Sequence, residues 1–419
     1  MIKRYITDLV KQSLTDFPAV LLIGARQVGK STVAKQLVKE GICQEYISFD
    51  DISNLRLALA DPDGFLERFT HSVALDEIQR VPDLMRALKK RIDMNRQTGQ
   101  FLLTGSANIL ALPQVSESLS GRVDVINLEG LSFAEVLEQE NRPQFLEKLF
   151  EPSGAKIIAD DYFKNRSKLP ELSLKFYEEL LFYGGFPEVW SRKNPVFSRR
   201  WLASYQKTYL ERDVRDIAKG IDLIPFTKIL EISALRTGNL SVISSVARDV
   251  GIDQRTASRY LGILELTYQV THLNPWFSNV SKRLIKSPKI FINDTATACF
   301  YHQIKNSAEI WSNMHLGALG ETWFFSELRK QLVFSPGIII NFYRTHQGKE
   351  VDFLLSSGNK LCGIEIKFSK SVSPADFKGL YDLKDATSSD TQGIVMYMGE
   401  EVISFGNNLW AMPFSCLLF

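Results

Sequence analysis

At 419 residues, with Lys plus Arg at 50 against 48 for Asp plus Glu, the chain carries a net charge of only +2. No global field therefore pulls it toward nucleic acid or an anionic membrane, and any basic surface is local. The length predicts about two to four domains and more than one core. Four cysteines, Cys43, Cys299, Cys362 and Cys416, lack pairing or metal-ligand spacing, and the five histidines form no H-x-x-H pattern, which argues for buried thiols in a reducing compartment. The start, MIKRYITDLVKQSL, has charges every few residues and no apolar signal-peptide core, while its Tyr5, Ile6, Leu9, Val10 stripe predicts an amphipathic helix. No apolar run reaches membrane-spanning length, so the expectation is a soluble, cytoplasmic protein with no membrane partner.

The apolar run Ala19 to Ile23 has strand length, and Val33, Ala34, Leu37 and Val38 recur at helical spacing. Between them GARQVGKS, Gly24 to Ser31, reads as a phosphate-binding loop. Gly24 and Gly29 reach backbone angles closed to other residues. The stretch Ala25, Arg26, Gln27, Val28, Gly29, Lys30, Ser31 and Thr32 then cradles phosphate oxygens at the positive end of a helix. Lys30 is placed for the β- and γ-phosphates of ATP and the Ser31 hydroxyl for Mg²⁺.

EYISFDD, Glu45 to Asp51, predicts a second strand ending in carboxylates. In HSVALDEIQRVPDL, Val73 to Leu75 predict a short buried strand delivering Asp76 to bind Mg²⁺ and Glu77 to orient and deprotonate the attacking water, the Walker B arrangement. Asp83 starts a helix with Leu84, Leu88 and Ile92 on one face. Phe101 to Leu103 predict another buried strand, tipped by Thr104 and Ser106. These two either hydrogen-bond the γ-phosphate or its water, as a sensor does, or simply begin a turn. Arg122, in the glycine-bearing turn of SLSGRV, is either a finger entering a neighbouring subunit's site or a surface arginine.

Residues 140 to 170 are charged and carry Pro143, Pro152 and Pro170, which predicts an irregular connection. Phe176 to Tyr183 reads as a helix stopped by Gly184 and Gly185 in GGFPEVW. A long helix is expected over Trp201 to Lys219, its ERDVRD run forming a solvated, salt-bridged face. LSVISSVARDVGIDQRTASRYLGILELTYQV predicts a helix-turn-helix: Val242, Val246 and Ala247 inward, Gly251 at the turn, Asp253 capping a second helix that buries Ala257, Tyr260, Leu261 and Leu264. Gln254, Arg255, Ser258 and Arg259 are left outward, the residue types that contact bases or phosphates in a major groove. The β-rich stretches Thr267 to Leu273 and Lys289 to Asn293 fit a wing, and Lys282, Arg283, Lys286 and Lys289 make a local basic cluster. Such a unit contacts either DNA or protein.

In the last part, GETWFFSELRKQL, Gly320 to Leu332, predicts an amphipathic helix with Glu321 near its start. NFYRTHQGKEVDFLLSSGNKLCGIEIKFS then predicts strand, turn and strand. Asp352 lies in the first strand, with Glu365 and Lys367 on one face of the second. A cross-strand ladder of charges would need no more than this alternation. The layout also resembles the PD-(D/E)XK nuclease core, which implies that Asp352 and Glu365 hold Mg²⁺, that Lys367 activates water, that Glu321 is the acid on the preceding helix, and that Gln392 to Met398 is a further strand.

Taken together, GARQVGKS, LDEIQRVPDL, LLTGSA, LSGRV and GGFPEVW, with this C-terminal segment, resemble a family of bacterial and archaeal AAA+-type ATPases carrying a C-terminal domain of unknown function. The resemblance implies the roles given above for Gly24 to Ser31, Asp76, Glu77 and Arg122. It also implies a homo-oligomer, a ring being one form, in which the ERDVRD segment meets a neighbouring domain or subunit. The expected architecture is α/β: a P-loop ATPase domain over 1–140, a helical connection over 141–222, a winged helix over 223–290 and a restriction-endonuclease-like domain over 291–419. The expected function is ATP hydrolysis coupled to work on DNA. The alternative is a STAND-like nucleotide-dependent signalling or assembly switch without nuclease activity.

Overall fold

The computed structural model describes residues 2–105, 121–211, 214, 220–277, 287–345, 347–387 and 390–419. Helix α1, Ile6–Asp16, leads into β1, Ala19–Ile23, whose five residues are all buried. Helix α2, Lys30–Lys39, strand β2, Glu45–Ser48, strand β3, Val73–Asp76, helix α3, Leu84–Met94, strand β4, Phe101–Gly105, and strand β5, Val123–Asn127, complete the first layer. The strands run in the order β2-β3-β4-β1-β5 and every pairing is parallel. A parallel sheet is covered on both faces, so its central strands read as unbroken apolar runs. The pleat divides β1: Val20 and Leu22 join one buried cluster with α1 and α2, while Ala19, Leu21 and Ile23 join another with Leu84, Leu88 and Ile92 of α3. All carboxyl ends thus open on one edge, where the phosphate-binding loop follows β1.

Helices α4, Gly154–Asn165, α5, Leu174–Tyr183, α6, Pro187–Arg192, and α7, Pro195–Glu211, follow. The helix expected to begin at Trp201 begins six residues earlier. Asn194 accepts a hydrogen bond from the Phe197 amide at 2.9 Å and Pro195 fills the first turn, where its missing N–H costs nothing. Most of the expected stretch beyond Glu211 lies outside the described residues.

Helix α8, Leu223–Leu235, strand β6, Asn239–Leu240, helices α9, Ile243–Val250, and α10, Gln254–Leu266, and strands β7, Val270–Leu273, and β8, Lys289–Ile292, form the next unit. Gly251 turns the chain between α9 and α10 at φ +81°, and Asp253 caps α10 through the Thr256 amide at 2.9 Å. The three strands form an antiparallel sheet in the order β6-β8-β7, which carries this unit on to Ile292. Val242, expected in the core, is 43% exposed, because it precedes the first turn of α9 instead of lying on its inner stripe.

Helices α11, Thr295–Tyr301, and α12, Leu316–Leu332, precede a six-stranded mixed sheet. Its strands are β9, Ile339–Arg344, β10, Glu350–Ser357, β11, Lys360–Lys367, β12, Gln392–Tyr397, β13, Ile403–Gly406, and β14, Leu409–Pro413, with α13, Lys378–Ala386, on one face. The order is β13-β14-β12-β11-β10-β9. Helix α12 is not amphipathic: Trp323, Phe324, Phe325 and Leu328 are buried, and so are Thr322, Ser326, Glu327 and Gln331, because α12 lies between β11 and helices of the connection. One continuous apolar cluster runs from Val20 and Leu22 through Phe133 and Trp323 to Phe414. The backbone ties the same parts: Phe133 N donates to Glu327 Oε2 at 2.8 Å and Gln144 N to the Phe419 carbonyl at 2.7 Å. All four cysteines are free and buried, and no helix among the described residues is long and apolar enough to cross a membrane.

Candidate functional site

The loop after β1 is shaped by its glycines. Gly24 has φ +148° and a Cβ there would lie 2.1 Å from the Leu128 carbonyl oxygen, while Gly29 has φ +107° at the start of α2. The first turn of α2 therefore opens on a cavity of about 360 Å³ lined by Arg26, Gln27, Gly29, Ser31 and Thr32, among others. Lys30 is buried and folded over the loop, its Nζ donating to the carbonyls of Gly24 at 2.8 Å and Ala25 at 2.7 Å. These donors are the ones a phosphate chain would take up, and the anion would sit on the amide end of the helix dipole. Behind the loop Arg4 is buried, and its guanidinium donates to the Val28 carbonyl at 2.6 Å, to the Glu129 carbonyl at 2.8 Å and to Glu135 Oε2 at 3.1 Å.

Adjacent parallel strands bring the polar tips together, since Leu75 pairs with Leu103 and Ser48 with Asp76. Asp76 Oδ1 accepts from Ser31 Oγ at 3.1 Å and from the hydroxyl of Thr104, and Asp76 Oδ2 accepts from Tyr46 OH at 2.6 Å. Burial first, and then the carboxylate beside it, push the Tyr46 phenol above its ordinary range. Glu77 follows in the left-handed region at φ +61°, with Gln79 donating to its carboxylate at the cavity edge. The structure thus converges Gly24 to Thr32, Asp76, Glu77 and Thr104. Ser106 lies outside the described residues.

Three contributors lie in stretches the sequence singled out but did not place at this site. Tyr46 is one, its strand register being invisible before the sheet is formed. Pro187 and Glu188 of α6 are the others, and they wall the cavity from the GGFPEVW segment. That segment is pinned from two sides: the Gly185 carbonyl accepts from Leu131 N at 2.7 Å, and its amide donates to Asp294 Oδ2 at 2.7 Å. Arg122 is not brought to the cavity of its own chain. It precedes β5, whose Val123 pairs with Ala19 at the amino end of β1, and its guanidinium pairs with both oxygens of Asp93 at 2.6 and 2.9 Å.

A second cluster of charge lies on the inner strands β10 and β11 of the six-stranded sheet. Strands β10 and β11 pair antiparallel, with Phe353 opposite Ile364, so Asp352 falls beside Glu365 and accepts from the Ile366 amide at 2.9 Å. Lys367 Nζ donates to Glu365 Oε1 at 3.0 Å. Glu321 of α12 faces the same group. Burial, with Asp352 close by, pushes Glu321 up to about 7 and Glu365 up to about 8. Lys289 differs from expectation. It does not join an exposed basic cluster but reaches from β8 into these carboxylates, 3% exposed, with Nζ at 2.5 Å from Glu350, 3.2 Å from Glu321 and 4.0 Å from Asp352. Burial alone would lower the Lys289 pKa, but its three carboxylate neighbours outweigh burial and keep the ammonium charged. Among the described residues no group of three or more His, Cys, Asp or Glu is arranged to hold a metal ion. Lys282, Arg283 and Lys286 lie outside the described residues, whereas Gln254, Arg255, Ser258 and Arg259 are all exposed on α10.

Fold and site define the N-terminal part as a P-loop nucleotide-binding domain of the AAA class: residues 16–137 match the family described as AAA domain. Residues 174–308 and 316–417 match two domains of unknown function, DUF8612 and DUF4143. Over nearly its whole length the chain is similar to the uncharacterized protein Rv2008c of Mycobacterium tuberculosis, 28% identical over 406 residues that cover 96% of this chain and 82% of the relative. It is also similar to the uncharacterized protein MJ1544 of Methanocaldococcus jannaschii, 24% identical over 81% of this chain and 72% of the relative. Among solved structures, the RuvB Holliday junction branch migration motor of Thermotoga maritima aligns over 63% of this chain and 88% of its own, at 17% identity and a TM-score of 0.30, too distant for inference from it.

Proposed function

We propose that the chain is an ATP-hydrolysing AAA-type protein that works as an oligomer on DNA. The observation that carries the hydrolytic part is the convergence of Lys30, Ser31, Asp76 and Glu77 on one cavity at the carboxyl ends of the parallel strands, with Thr104 bonded to Asp76 behind it. Lys30 exchanges the Gly24 and Ala25 carbonyls for β- and γ-phosphate oxygens. Ser31 and Asp76, already hydrogen-bonded to each other, form the Mg²⁺ side of the site, and Mg²⁺ supplies charge neutralisation at the leaving phosphate. Glu77 takes the proton of the attacking water, with Thr104 fixing Asp76 behind it. Arg122 acts in trans, leaving Asp93 for the phosphates of a neighbouring subunit.

The DNA part is supported by helices α9 and α10 with the β6-β8-β7 sheet, a winged-helix arrangement in which Arg255 and Arg259 point outward from the second helix. The C-terminal part is read as a nuclease-like domain whose metal-binding acids are Asp352 and Glu365, with Glu321 and Lys367 beside them, supported by the pairing of β10 with β11 and by the ion pair of Lys367 with Glu365.

The test is ATP turnover with and without single- and double-stranded DNA, in wild type, Lys30→Ala and Glu77→Gln. Lys30→Ala is expected to lose nucleotide binding, whereas Glu77→Gln keeps ATP bound and loses about 10²–10⁴-fold in turnover, the usual worth of a general base. Mixing Lys30→Ala with Arg122→Ala is expected to restore part of the activity. Normal turnover by Glu77→Gln sinks the hydrolytic assignment. Slow turnover insensitive to DNA, with assembly that follows the bound nucleotide, favours a signalling switch instead.

A further inference from the structure

The C-terminal carboxylates are served by a cation from another part of the chain. Lys289 belongs by its backbone to the helix-turn-helix unit, where β8 pairs with Leu240 on one side and with Leu273 on the other. Its side chain leaves that sheet and ends among Glu321 of α12 and Glu350 and Asp352 of β10, with the Phe342 ring 5.6 Å away. A buried carboxylate group of this density is stable only if opposite charge, or protons, compensate it. On the β11 side Lys367 serves Glu365, and at the outer rim Arg344 serves Glu350 at 3.1 Å. The space between Glu321 and Asp352 is left to the Lys289 ammonium.

We propose that Lys289 is a built-in plug: its ammonium takes the place a divalent cation would take between Glu321 and Asp352, so the C-terminal site is closed to metal while β8 is seated. The proposal rests on the reading of Asp352 and Glu365 as metal ligands. Lys289 Nζ lies within 4.0 Å of Glu321, Glu350 and Asp352, in the gap that an ion bridging Glu321 and Asp352 would fill, so ammonium and divalent ion compete for one volume, whereas Lys367 pairs with Glu365 from the β11 side. Removing the lysine takes the ammonium from Glu321 and Asp352 while Arg344 still serves Glu350, and the site then recruits a cation from solution. Because the plug rides on the sheet that closes the helix-turn-helix unit, access to the carboxylates is set by a part of the chain outside the domain that supplies them.

The experiment uses the full chain in a nucleotide-free Lys30→Ala background and reads Mn²⁺ binding by calorimetry and by the thermal shift it produces. With Lys289 present, Mn²⁺ is expected to bind weakly and to leave the melt unchanged. Lys289→Met is expected to bind one Mn²⁺ about ten- to a hundredfold more tightly, the range over which groups around a metal site set affinity. Adding Asp352→Asn is expected to abolish the gain. If Lys289→Met does not fold, Lys289→Met with Glu350→Gln, which removes one charge of each sign, takes its place with the same readings. Tight Mn²⁺ binding with Lys289 in place, lost on Asp352→Asn, overturns the plug and leaves the metal-ligand reading standing. No Mn²⁺ binding with or without Lys289 overturns the plug and the metal-ligand reading together.

Discussion

Arg4 and Lys289 show what a single side chain does here that its neighbours in sequence do not announce. The loop of Gly24 to Ser31 was legible because all its determinants are contiguous, and Asp76 and Glu77 were legible because a short apolar strand delivers them. Arg4 sits in a segment that reads only as an amphipathic helix, yet it is 9% exposed and holds the Val28 carbonyl of the loop and the carboxylate of Glu135, 131 positions away. Arg4→Met strands the buried Glu135 charge, so it is expected to cost about 3–5 kcal/mol. It also frees the loop carbonyl and weakens ATP binding. Adding Glu135→Gln is expected to recover part of the loss, since it removes the stranded charge and its one amide oxygen still accepts from either the Tyr5 or the Ser132 amide, which use different oxygens of Glu135. Urea unfolding and an ATP titration check both. An Arg4→Met protein as stable as wild type would mean that this contact is incidental.

Elements were read well where their period is regular and poorly where a neighbour overrides the pattern. The strands at Ala19, Val73 and Phe101 and the two helices around Gly251 follow from local periodicity and turn chemistry. Helix α12 defeated the same reasoning, because helices of the connection cover the side that an isolated helix would leave to water, burying Glu327 and Gln331. The stretch Lys282 to Lys289 is a further case: charge clustering in sequence says nothing of a strand that turns one lysine inward. Helix α10 keeps its outward arginines, and this gives a prediction at the same scale. If α10 docks on DNA, replacing Arg255 and Arg259 by Ala removes two phosphate contacts and lowers the magnitude of the salt-dependence slope by about 2, each contact releasing close to one counterion. DNA binding measured over a range of salt reads the slope directly, and an unchanged slope assigns α10 to a protein partner or to solvent.

The molecule as a whole behaves as coupled layers more than as beads on a string. From the loop, Arg4 joins the Val28 carbonyl to the Glu129 carbonyl. The Glu129 side chain then pairs with Arg329 of α12, and Arg329 reaches Thr271 of β7 at 2.6 Å and Asn293 after β8 at 2.7 Å. The apolar cluster takes the same route, from β1 through Phe133 to Trp323 and Phe414. None of this was visible in a partition of the sequence at 140, 222 and 290, because pattern reading finds units by their breaks and has no access to faces that meet across two hundred residues. The consequence is thermodynamic. A ligand that binds only the native state stabilises everything that unfolds with its site, by about 2.7 kcal/mol at a hundred times its Kd. For a chain of this length unfolding in one step, that amounts to roughly 3 °C. A non-hydrolysable ATP analogue with Mg²⁺ is therefore expected to shift a single calorimetric transition by that amount and to slow hydrogen exchange in β11 and β12 as well as in β1. Two separate transitions, with only one moved by nucleotide and no added protection in β11, would mean that the shared core does not couple the sheets and that the C-terminal part folds on its own account.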